Sequence, residues 1–327
     1  MLGGALVVLL PWYVHAKQLQ TDSLYSERLG RSIGFTVALP RSYTTEGARE
    51  QRYPVVYLLH CAGCTGPLWF EQQYCGDLGE LLDRFDIIAV APDDGQVLSW
   101  WLDSPLPGRD SLSAFLALDL VAHIDSTFRT RAQARYRGLA GHSMGGFGAL
   151  HNLLEHPAVF ASAFSIKGAV DLMPYGMHWG LPQLLGTQES NYDNWKRVNV
   201  LDNAARFPSG GVAIGFYAGE SDWFYHDNRR LADTLAAHGK AHVYLDAPAF
   251  EQHYPLDPVQ MERVMAFFDE FFRTGEVGTS TAPGTDRRSR VVPPRSGGAW
   301  DLRGRKVRSP KAVVGTQVDG PAGVLLP

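Results

Sequence analysis

The stretch GLAGHSMGGFGAL, from Gly138 to Leu150, contains the residues that decide how this chain folds. At its centre is a G-x-S-x-G motif around Ser143, placed between an apolar strand pattern and a small-residue helix pattern that begins at Met144. A strand-to-helix turn this sharp leaves no room for side chains beside the serine, so glycines are required there. Gly146 also allows the helix to lie close to the sheet. The motif therefore predicts a strained turn that exposes the Ser143 hydroxyl at the positive end of a helix.

On both sides of this motif, strand patterns alternate with helix patterns. Tyr53–His60 and Asp86–Pro92 are short continuous apolar runs, which are typical of strands covered on both faces. The other predicted strands and helices are Ser32–Pro40, Ala114–Phe128, Tyr136–Gly141, Val159–Ile166, Gly211–Gly219, Asn228–His238, Ala241–Ala247 and Pro258–Phe272. This alternation predicts an α/β protein with a mostly parallel sheet and helices on both faces. In such a protein the chemistry is expected on loops beyond the carboxyl ends of the strands.

A serine nucleophile requires a base to remove its proton and a carboxylate to orient that base. In this order of strands and helices, the acid and then the histidine are expected to follow the serine along the chain. Asp222 lies just past the predicted strand Gly211–Gly219 and is the predicted acid. The competing carboxylates are Glu220, Asp171 and Asp202.

The predicted base is His253, in the loop between the last predicted strand and the last predicted helix. His226 is too close to Asp222 in sequence to fold back onto it. His238 is expected at the end of a helix, where it would complement the helix dipole. His242 is expected at the start of a strand.

The loop LLHCAGCTG, from Leu58 to Gly66, follows an early strand at the position that supplies one side of an oxyanion hole in such folds. An oxyanion hole requires two backbone N–H groups that point at the developing negative charge. The predicted donors are the N–H of Met144 and that of Ala62 or of its neighbour Cys61. Under this prediction the cysteine side chains are dispensable for the chemistry.

The chain's three cysteines allow other interpretations of the same loop. Cys61 and Cys64 could join Cys75 and His60 in a Cys3His zinc site, but such a site would clamp a loop that must face substrate. A thioredoxin-like redox pair would require a different strand order. We therefore predict neither a metal site nor a cofactor. If the chain is exported, a disulfide between Cys75 and either Cys61 or Cys64 is an alternative that the sequence leaves open, and three cysteines leave one without a disulfide.

The two ends of the chain differ from its body. Residues 1–16 combine a short apolar run with a small-x-small site, which predicts a signal peptide and a secreted or periplasmic protein. If that run is not a signal peptide, the protein is expected in the cytoplasm. Residues 276–327 form a basic Pro-, Gly- and Arg-rich tail that is predicted to be disordered, which leaves residues 17–275 as the folded domain.

Charge and hydropathy exclude two classes of partner. Residues 281–327 carry nine Lys and Arg against three Asp and Glu, while the whole chain has a net charge of −4. The body is therefore acidic and gives no reason to expect nucleic-acid binding. No apolar run is long enough to cross a bilayer, so no integral membrane span is predicted.

Together these motifs resemble the α/β-hydrolase esterase family that includes esterase D, S-formylglutathione hydrolase, tributyrin esterases, and feruloyl and acetyl-xylan esterases. The resemblance covers about Leu24 to Phe272. It rests on the segments YLLH, APDDG, SWWLDSP, LVAHIDSTFRT, GHSMGGFGAL, GAVDL and GESDWF. It implies the α/β-hydrolase fold and a catalytic triad of Ser143, Asp222 and His253. In two places the chain departs from many relatives: it has His60-Cys61 where they have His-Gly, and its histidine loop lacks a glycine two residues before the histidine.

The resemblance implies a serine carboxylesterase acting on short-chain acyl or aryl esters, either as small molecules or linked to a polysaccharide. An S-formylglutathione hydrolase-like thioesterase and an acyltransferase with the same triad are the alternatives. A catalytically inactive binding module is disfavoured because every triad residue type is present. The candidate substrate-binding residues are Cys61, Trp101, Trp179 and Trp223.

Overall fold

The structure is a computed structural model that describes residues 18–95, 98–245, 247–248 and 251–278. The predicted signal peptide, residues 1–16, lies outside the described residues. So does the predicted tail, apart from residues 276–278.

The described residues form an eight-stranded sheet in the order β1-β2-β4-β3-β5-β6-β7-β8. The strands from β3 to β8 are mutually parallel, whereas β2 runs antiparallel to both of its neighbours. The strands are β1 Gln18–Ser26, β2 Arg31–Leu39, β3 Val55–Leu59, β4 Ile88–Pro92, β5 Arg137–His142, β6 Ser162–Ile166, β7 Ala213–Tyr217 and β8 Val243–Tyr244. A mostly parallel sheet was expected from the alternating strand and helix patterns.

Helices cover both faces of this sheet. The α-helices in the described residues are α1 Gln72–Cys75, α2 Leu78–Phe85, α3 Leu112–Ala114, α4 Val121–Thr127, α5 Met144–Glu155, α6 Leu181–Leu185, α7 Gln188–Val198, α8 Tyr225–Ala237 and α9 Pro258–Thr274. A π-helical segment, Phe115–Leu120, joins α3 to α4, so one predicted helix has three parts. None of the helices in the described ranges is long and apolar enough to cross a membrane.

The central strand β3 shows why the sequence pattern is continuous rather than alternating. All five of its side chains are buried. Val55, Tyr57 and Leu59 belong to one hydrophobic core, shared with α5 and α8, while Val56 and Leu58 belong to the core shared with α2 and α9. A strand with a core on each face requires apolar residues at every position.

Two strands differ from the sequence prediction. Strand β1 was not predicted, because its side chains are mostly exposed and show no apolar alternation. Its backbone is instead paired with β2 in a continuous register from Gln18 opposite Leu39 to Ser26 opposite Arg31. Strand β8 is limited to Val243–Tyr244, which is shorter than the predicted Ala241–Ala247.

The strand order determines where the candidate functional residues meet. Strands β3, β5, β6 and β7 are parallel neighbours, so the residues that follow them emerge at the same edge of the sheet. The segments that follow these four strands carry, in the same order, Cys61, Ser143, Lys167 and Asp222.

Candidate active site

Ser143 occupies a sharp turn between β5 and α5. Its backbone has φ +57° and ψ −114°, a conformation that side-chain-bearing residues rarely adopt. A Cβ on Gly141 would overlap the backbone of Gly145, and a Cβ on Gly145 would overlap the backbone of Leu59. The Ser143 N–H donates to the carbonyl of Ile166 at 3.0 Å, which ties the turn to β6. The two motif glycines therefore provide the space that the strained serine requires.

Asp222 presents a buried carboxylate just past β7. Its side chain has no exposed surface, and its Oδ2 lies 2.7 Å from Nδ1 of His253. Its Oδ1 accepts the N–H of Phe224 at 2.9 Å. An ionised carboxylate can only accept, so this contact suits the His253 tautomer that carries its proton on Nδ1 and leaves Nε2 to accept one.

His253 is enclosed by aromatic rings next to the serine turn. Its ring stacks on Trp223 with the two ring centroids 4.8 Å apart, and it meets the Tyr254 ring edge to face with the centroids 4.9 Å apart. The ring of His142, the residue that directly precedes Ser143, is 4.6 Å from the His253 ring. The structure therefore brings the predicted base beside the turn that carries the predicted nucleophile.

His142 is a second histidine in this site, but it is fully buried. Burial, together with the nearby His253 and Lys167, holds the pKa of His142 well below its ordinary value. The hydroxyl of Tyr74 lies 2.8 Å from Nδ1 of His142. Burial therefore favours the neutral form of His142, which directly precedes Ser143 in the chain.

The competing carboxylates lie in other surroundings. Asp171 is paired with Arg230 at 2.8 Å, and Asp202 is paired with Lys196 at 2.6 Å. Glu220 is exposed. Of these carboxylates and Asp222, the described contacts place only Asp222 in a hydrogen bond with His253.

The competing histidines are likewise placed elsewhere. His242 lies just before β8, where its ring stacks on Phe216 at 5.6 Å and its Nδ1 is 3.0 Å from the carbonyl of Lys240. His238 caps the carboxyl end of α8, as its position in the sequence suggested.

The cysteine loop contains a disulfide whose partners the sequence left open. Cys61 and Cys64 are bonded to each other, so neither of them pairs with Cys75. Cys75 lies on α1 as a buried thiol. Cys61 and Cys64 both follow β3 in one tight turn, in which the N–H of Cys64 donates to the carbonyl of Cys61 at 3.1 Å. This local closure brings the two sulfurs together without involving α1.

The same turn orients the predicted oxyanion donor. The carbonyl of Cys61 belongs to the peptide whose N–H is that of Ala62. It accepts from the Cys64 N–H and from Nδ1 of His60, which is 2.8 Å away. Because the C=O and N–H of a trans peptide point in opposite directions, fixing the carbonyl also fixes the direction of the Ala62 N–H.

The oxidised cysteines also bear on the zinc interpretation. Both sulfurs of the C-x-x-C pair are bonded to each other, and metal binding by cysteine requires thiolates. In the part of the chain that the structure describes, no group of three or more His, Cys, Asp or Glu side chains is arranged to hold a metal ion.

Two of the candidate substrate-binding residues lie beneath the site instead of on its surface. Trp101 and Cys61 have no exposed surface. The indole N–H of Trp101 donates to the carbonyl of His60 at 3.1 Å, and Asn152 of α5 donates to the carbonyl of Trp101 at 2.8 Å. Trp101 therefore braces the end of β3 against the helix that follows the serine.

The other two candidates belong to an aromatic surface that reaches His253. Trp223 is 46% exposed, and Trp179 is partly exposed. The ring of Phe224 lies 5.8 Å from that of Trp179 and 6.4 Å from that of Trp223, so it bridges the two tryptophans. Tyr175 extends the surface, with its ring 4.9 Å from Trp179.

Behind this surface lies a carboxyl group with a raised pKa. The hydroxyl of Tyr175 donates to Asp227 at 3.1 Å. Burial raises the pKa of Asp227 to about 6, and this hydrogen bond partly opposes the rise. Tyr175 is one of the aromatic residues that the sequence offers as groove-lining candidates, whereas Asp227 is not among the predicted site residues because it belongs to no recognisable local motif.

The model of the family described as "Putative esterase" matches residues 26–255, which is more than half of the chain. The chain belongs to this esterase family. The resemblance inferred from the sequence is thereby confirmed.

Curated relatives of this esterase-family chain are found in Mycobacterium tuberculosis. Esterase MT1326 of strain CDC 1551 / Oshkosh and Esterase Rv1288 of strain ATCC 25618 / H37Rv are each 35% identical to it over 174 residues. The match covers 51% of this chain and 35% of the length of each of those relatives.

Solved structures confirm the α/β-hydrolase fold. A ferulic acid esterase superposes with a TM-score of 0.63 at 20% identity, covering 78% of this chain and 98% of that one. An S-formylglutathione hydrolase from Agrobacterium tumefaciens gives a TM-score of 0.62 at 19% identity, covering 77% of this chain and 94% of that one. At these identities the likeness concerns the fold.

Proposed function

We propose that this protein is a serine carboxylesterase that forms an acyl-enzyme on Ser143. The observation that carries the proposal is the 2.7 Å hydrogen bond between His253 Nδ1 and the buried Asp222 carboxylate, made next to the strained serine turn. A base held by a buried carboxylate beside a nucleophile turn is the arrangement that acyl transfer requires. Membership of the esterase family supports the same chemistry.

In the proposed acylation step, Ser143 Oγ attacks the carbonyl carbon of the ester while Nε2 of His253 takes the hydroxyl proton. The carbonyl oxygen becomes an oxyanion, which accepts hydrogen bonds from the backbone N–H groups of Ala62 and Met144. The tetrahedral intermediate then collapses, and the alcohol leaves with the proton held by His253. Asp222 stabilises the imidazolium that exists between these two proton transfers.

In the proposed deacylation step, water replaces the alcohol. His253 removes a proton from the water as it attacks the acyl carbon, and the second oxyanion binds to the same two N–H groups. Collapse releases the carboxylic acid and returns the proton to Ser143. An acceptor alcohol in place of water would make the same site an acyltransferase.

We propose short-chain acyl and aryl esters as the substrate class. The exposed faces of Trp179 and Trp223, which the buried ring of Phe224 bridges, support this choice, because they lie beside His253 and offer apolar contacts for an acyl or aryl group.

The test combines a variant with a covalent probe. Ser143→Ala is expected to lower kcat for p-nitrophenyl acetate by roughly 10⁴-fold or more, because no acyl-enzyme can form. A fluorophosphonate should label Ser143 in the wild type, located by peptide mass spectrometry. Ser126→Ala, at an exposed serine on α4, is the matched control and should keep full activity. Labelling at another residue together with an active Ser143→Ala variant would overturn the assignment.

A panel of purified substrates then separates the alternatives. We expect acetyl, butyryl or feruloyl esters to be hydrolysed with a higher kcat/KM than S-formylglutathione. A preference for the thioester by tenfold or more would replace the carboxylesterase proposal with the thioesterase alternative.

A further inference from the structure

A buried lysine lies at the active-site edge of the sheet and is not used by the proposed mechanism. Lys167 directly follows β6, and its side chain has no exposed surface. Its backbone has φ +50°, which is unusual for a residue with a long side chain. The Lys167 N–H donates to the carbonyl of Tyr217 at 2.8 Å, which ties it to the end of β7.

The ammonium group of Lys167 contacts the two residues that precede His253. Its Nζ lies 2.7 Å from Oε1 of Glu251 and donates to the carbonyl of Gln252 at 2.6 Å. The Glu251 side chain is 5% exposed, and its Oε1 also accepts from the Tyr217 hydroxyl at 3.3 Å. The ion pair is therefore buried and carries further hydrogen bonds.

These contacts connect the nucleophile to the base along a short path. The carbonyl of Ile166 accepts the Ser143 N–H, and Ile166 is the residue just before Lys167. The carbonyl of Gln252 belongs to the peptide that enters His253. Lys167 thus holds one peptide next to the serine turn through its backbone and another next to the histidine through its side chain.

Stability alone does not account for charges at this position. Apolar residues of similar volume are often as stabilising as a buried ion pair, or more so, because charges lose hydration on burial. What an ion pair with directional hydrogen bonds adds is a defined geometry. His253 requires such a defined geometry, because it lies in a loop and not in a helix or strand.

We propose that Lys167 and Glu251 are positioning residues that set the distance between His253 and Ser143. The inference rests on the proposed function. Neither side chain takes part in bond formation. The pair acts through the Gln252–His253 peptide, while Asp222 holds the far side of the imidazole. Loss of the pair is expected to leave substrate binding largely intact and to slow proton transfer, because a misplacement of about 1 Å costs on the order of 100-fold in rate.

The experiment separates positioning from stability by comparing single and double variants. Lys167→Met leaves Glu251 buried without its cation, so both Tm and kcat should fall. In Lys167→Met/Glu251→Met the unpaired charge is gone, so Tm should recover towards the wild-type value. We expect kcat of the double variant to stay roughly ten- to a hundredfold low with KM within about threefold of wild type. Glu251→Gln should give an intermediate kcat, because its amide oxygen can still accept from Lys167.

Each measurement is normalised to the concentration of sites that a fluorophosphonate titrates to completion, so that misfolded protein does not count. The rate of that labelling is a second readout, since it also depends on His253. Lys196→Met, which removes an exposed ion pair with Asp202, is the matched control and should leave kcat and Tm unchanged. If Lys167→Met does not fold, the double variant and Glu251→Gln decide the question.

A double variant with kcat within twofold of wild type overturns the positioning proposal. So does a loss in kcat that disappears after normalisation to titrated sites. His253→Ala, measured in parallel, distinguishes this result from failure of the proposed function. If His253→Ala is inactive while the double variant is fully active, only the positioning role is lost. If His253→Ala is active, the triad itself is wrong and the positioning proposal fails with it.

Discussion

Reduction of the Cys61–Cys64 disulfide is the perturbation that most directly tests the proposed oxyanion hole. The disulfide closes the turn that carries Ala62, and Cys64 is partly exposed to solvent while Cys61 is buried. One thiolate of a soluble dithiol such as dithiothreitol should therefore attack the Cys64 sulfur and release Cys61, which takes up a proton. The second thiolate of the dithiol then attacks the mixed disulfide, which releases Cys64 as a thiol and leaves the oxidised dithiol as the product.

The expected size of the effect follows from what reduction leaves in place. The carbonyl of Cys61 keeps its hydrogen bonds from the Cys64 N–H at 3.1 Å and from His60 Nδ1 at 2.8 Å. The Ala62 N–H itself is not removed. Deleting an oxyanion donor costs about 10²–10³ in kcat. Loosening one that keeps both of these hydrogen bonds should cost less than about tenfold, which corresponds to less than about 1.4 kcal/mol.

Stability should also change only modestly. The disulfide closes a loop of four residues from Cys61 to Cys64, since the two positions are three apart in sequence. The chain-entropy relation for so short a loop gives about 2 kcal/mol of stabilisation. A protein with a substantial core should therefore stay folded when it is reduced, and circular dichroism checks this directly.

The assay follows kcat for p-nitrophenyl acetate under anaerobic conditions as the disulfide is reduced. Thiol titration in denaturant should count one thiol before reduction, from Cys75, and three afterwards. The double variant Cys61→Ser/Cys64→Ser is the control and should not respond to the dithiol. Ala62→Pro lacks the N–H and should lose 10²–10³ in kcat while remaining folded. A folded, reduced wild type that loses 100-fold or more would show that the sulfurs take part in the chemistry, and an active Ala62→Pro variant would exclude Ala62 as the donor.

Two further predictions concern the base and a buried carboxyl group. His253→Ala should lower kcat by several orders of magnitude. His242→Ala should lose some stability but keep kcat near wild type, because His242 packs on Phe216 and not on Asp222. Steady-state kinetics on both variants check this, and an inactive His242→Ala variant would mean that the base has been misassigned. Asp227→Asn should raise Tm at pH 7.5, because the pKa of Asp227 is raised to about 6 in the folded protein and its ionised form is penalised by burial. The folded state favours the protonated form of Asp227, so the stability of the wild type falls as pH rises from 3.8 to about 6. The gain in Tm that Asp227→Asn gives should therefore shrink to nothing near pH 4. A gain in Tm that is the same at every pH would contradict this account.

The parts of the site that could be predicted from sequence are those controlled by local backbone geometry. The turn at Ser143 requires glycines at fixed offsets, because a Cβ at Gly141 or Gly145 would overlap neighbouring backbone. Helix α5 begins at Met144 and α9 begins at Pro258, as their local patterns indicated. Asp222 and His253 were selected by their order after the serine and by their places in loops. The hydrogen bond between them is a long-range contact that the sequence only suggested.

The parts that could not be predicted depend on which segments the sheet brings together. Strand β1 carries almost no apolar pattern, and it is held by backbone pairing to β2 instead. Trp101 was predicted as a substrate-binding residue, but the folded chain buries its side chain between His60 and α5.

By itself, the sequence determined the fold class, the strained serine turn and the chain order of nucleophile, acid and base, because periodicity and glycine spacing act over a few residues. The tertiary structure decided the Cys61–Cys64 disulfide over a bond to Cys75, since the turn after β3 brings the first two sulfurs together while Cys75 is buried on α1. It also decided the pairing of Lys167 with Glu251. These residues lie 84 positions apart in the sequence: Lys167 directly follows β6, and Glu251 lies in the loop after β8. They meet because β6, β7 and β8 are consecutive parallel strands whose carboxyl ends lie at the same edge of the sheet. Contacts of that kind depend on strand order, which no local pattern of residues encodes.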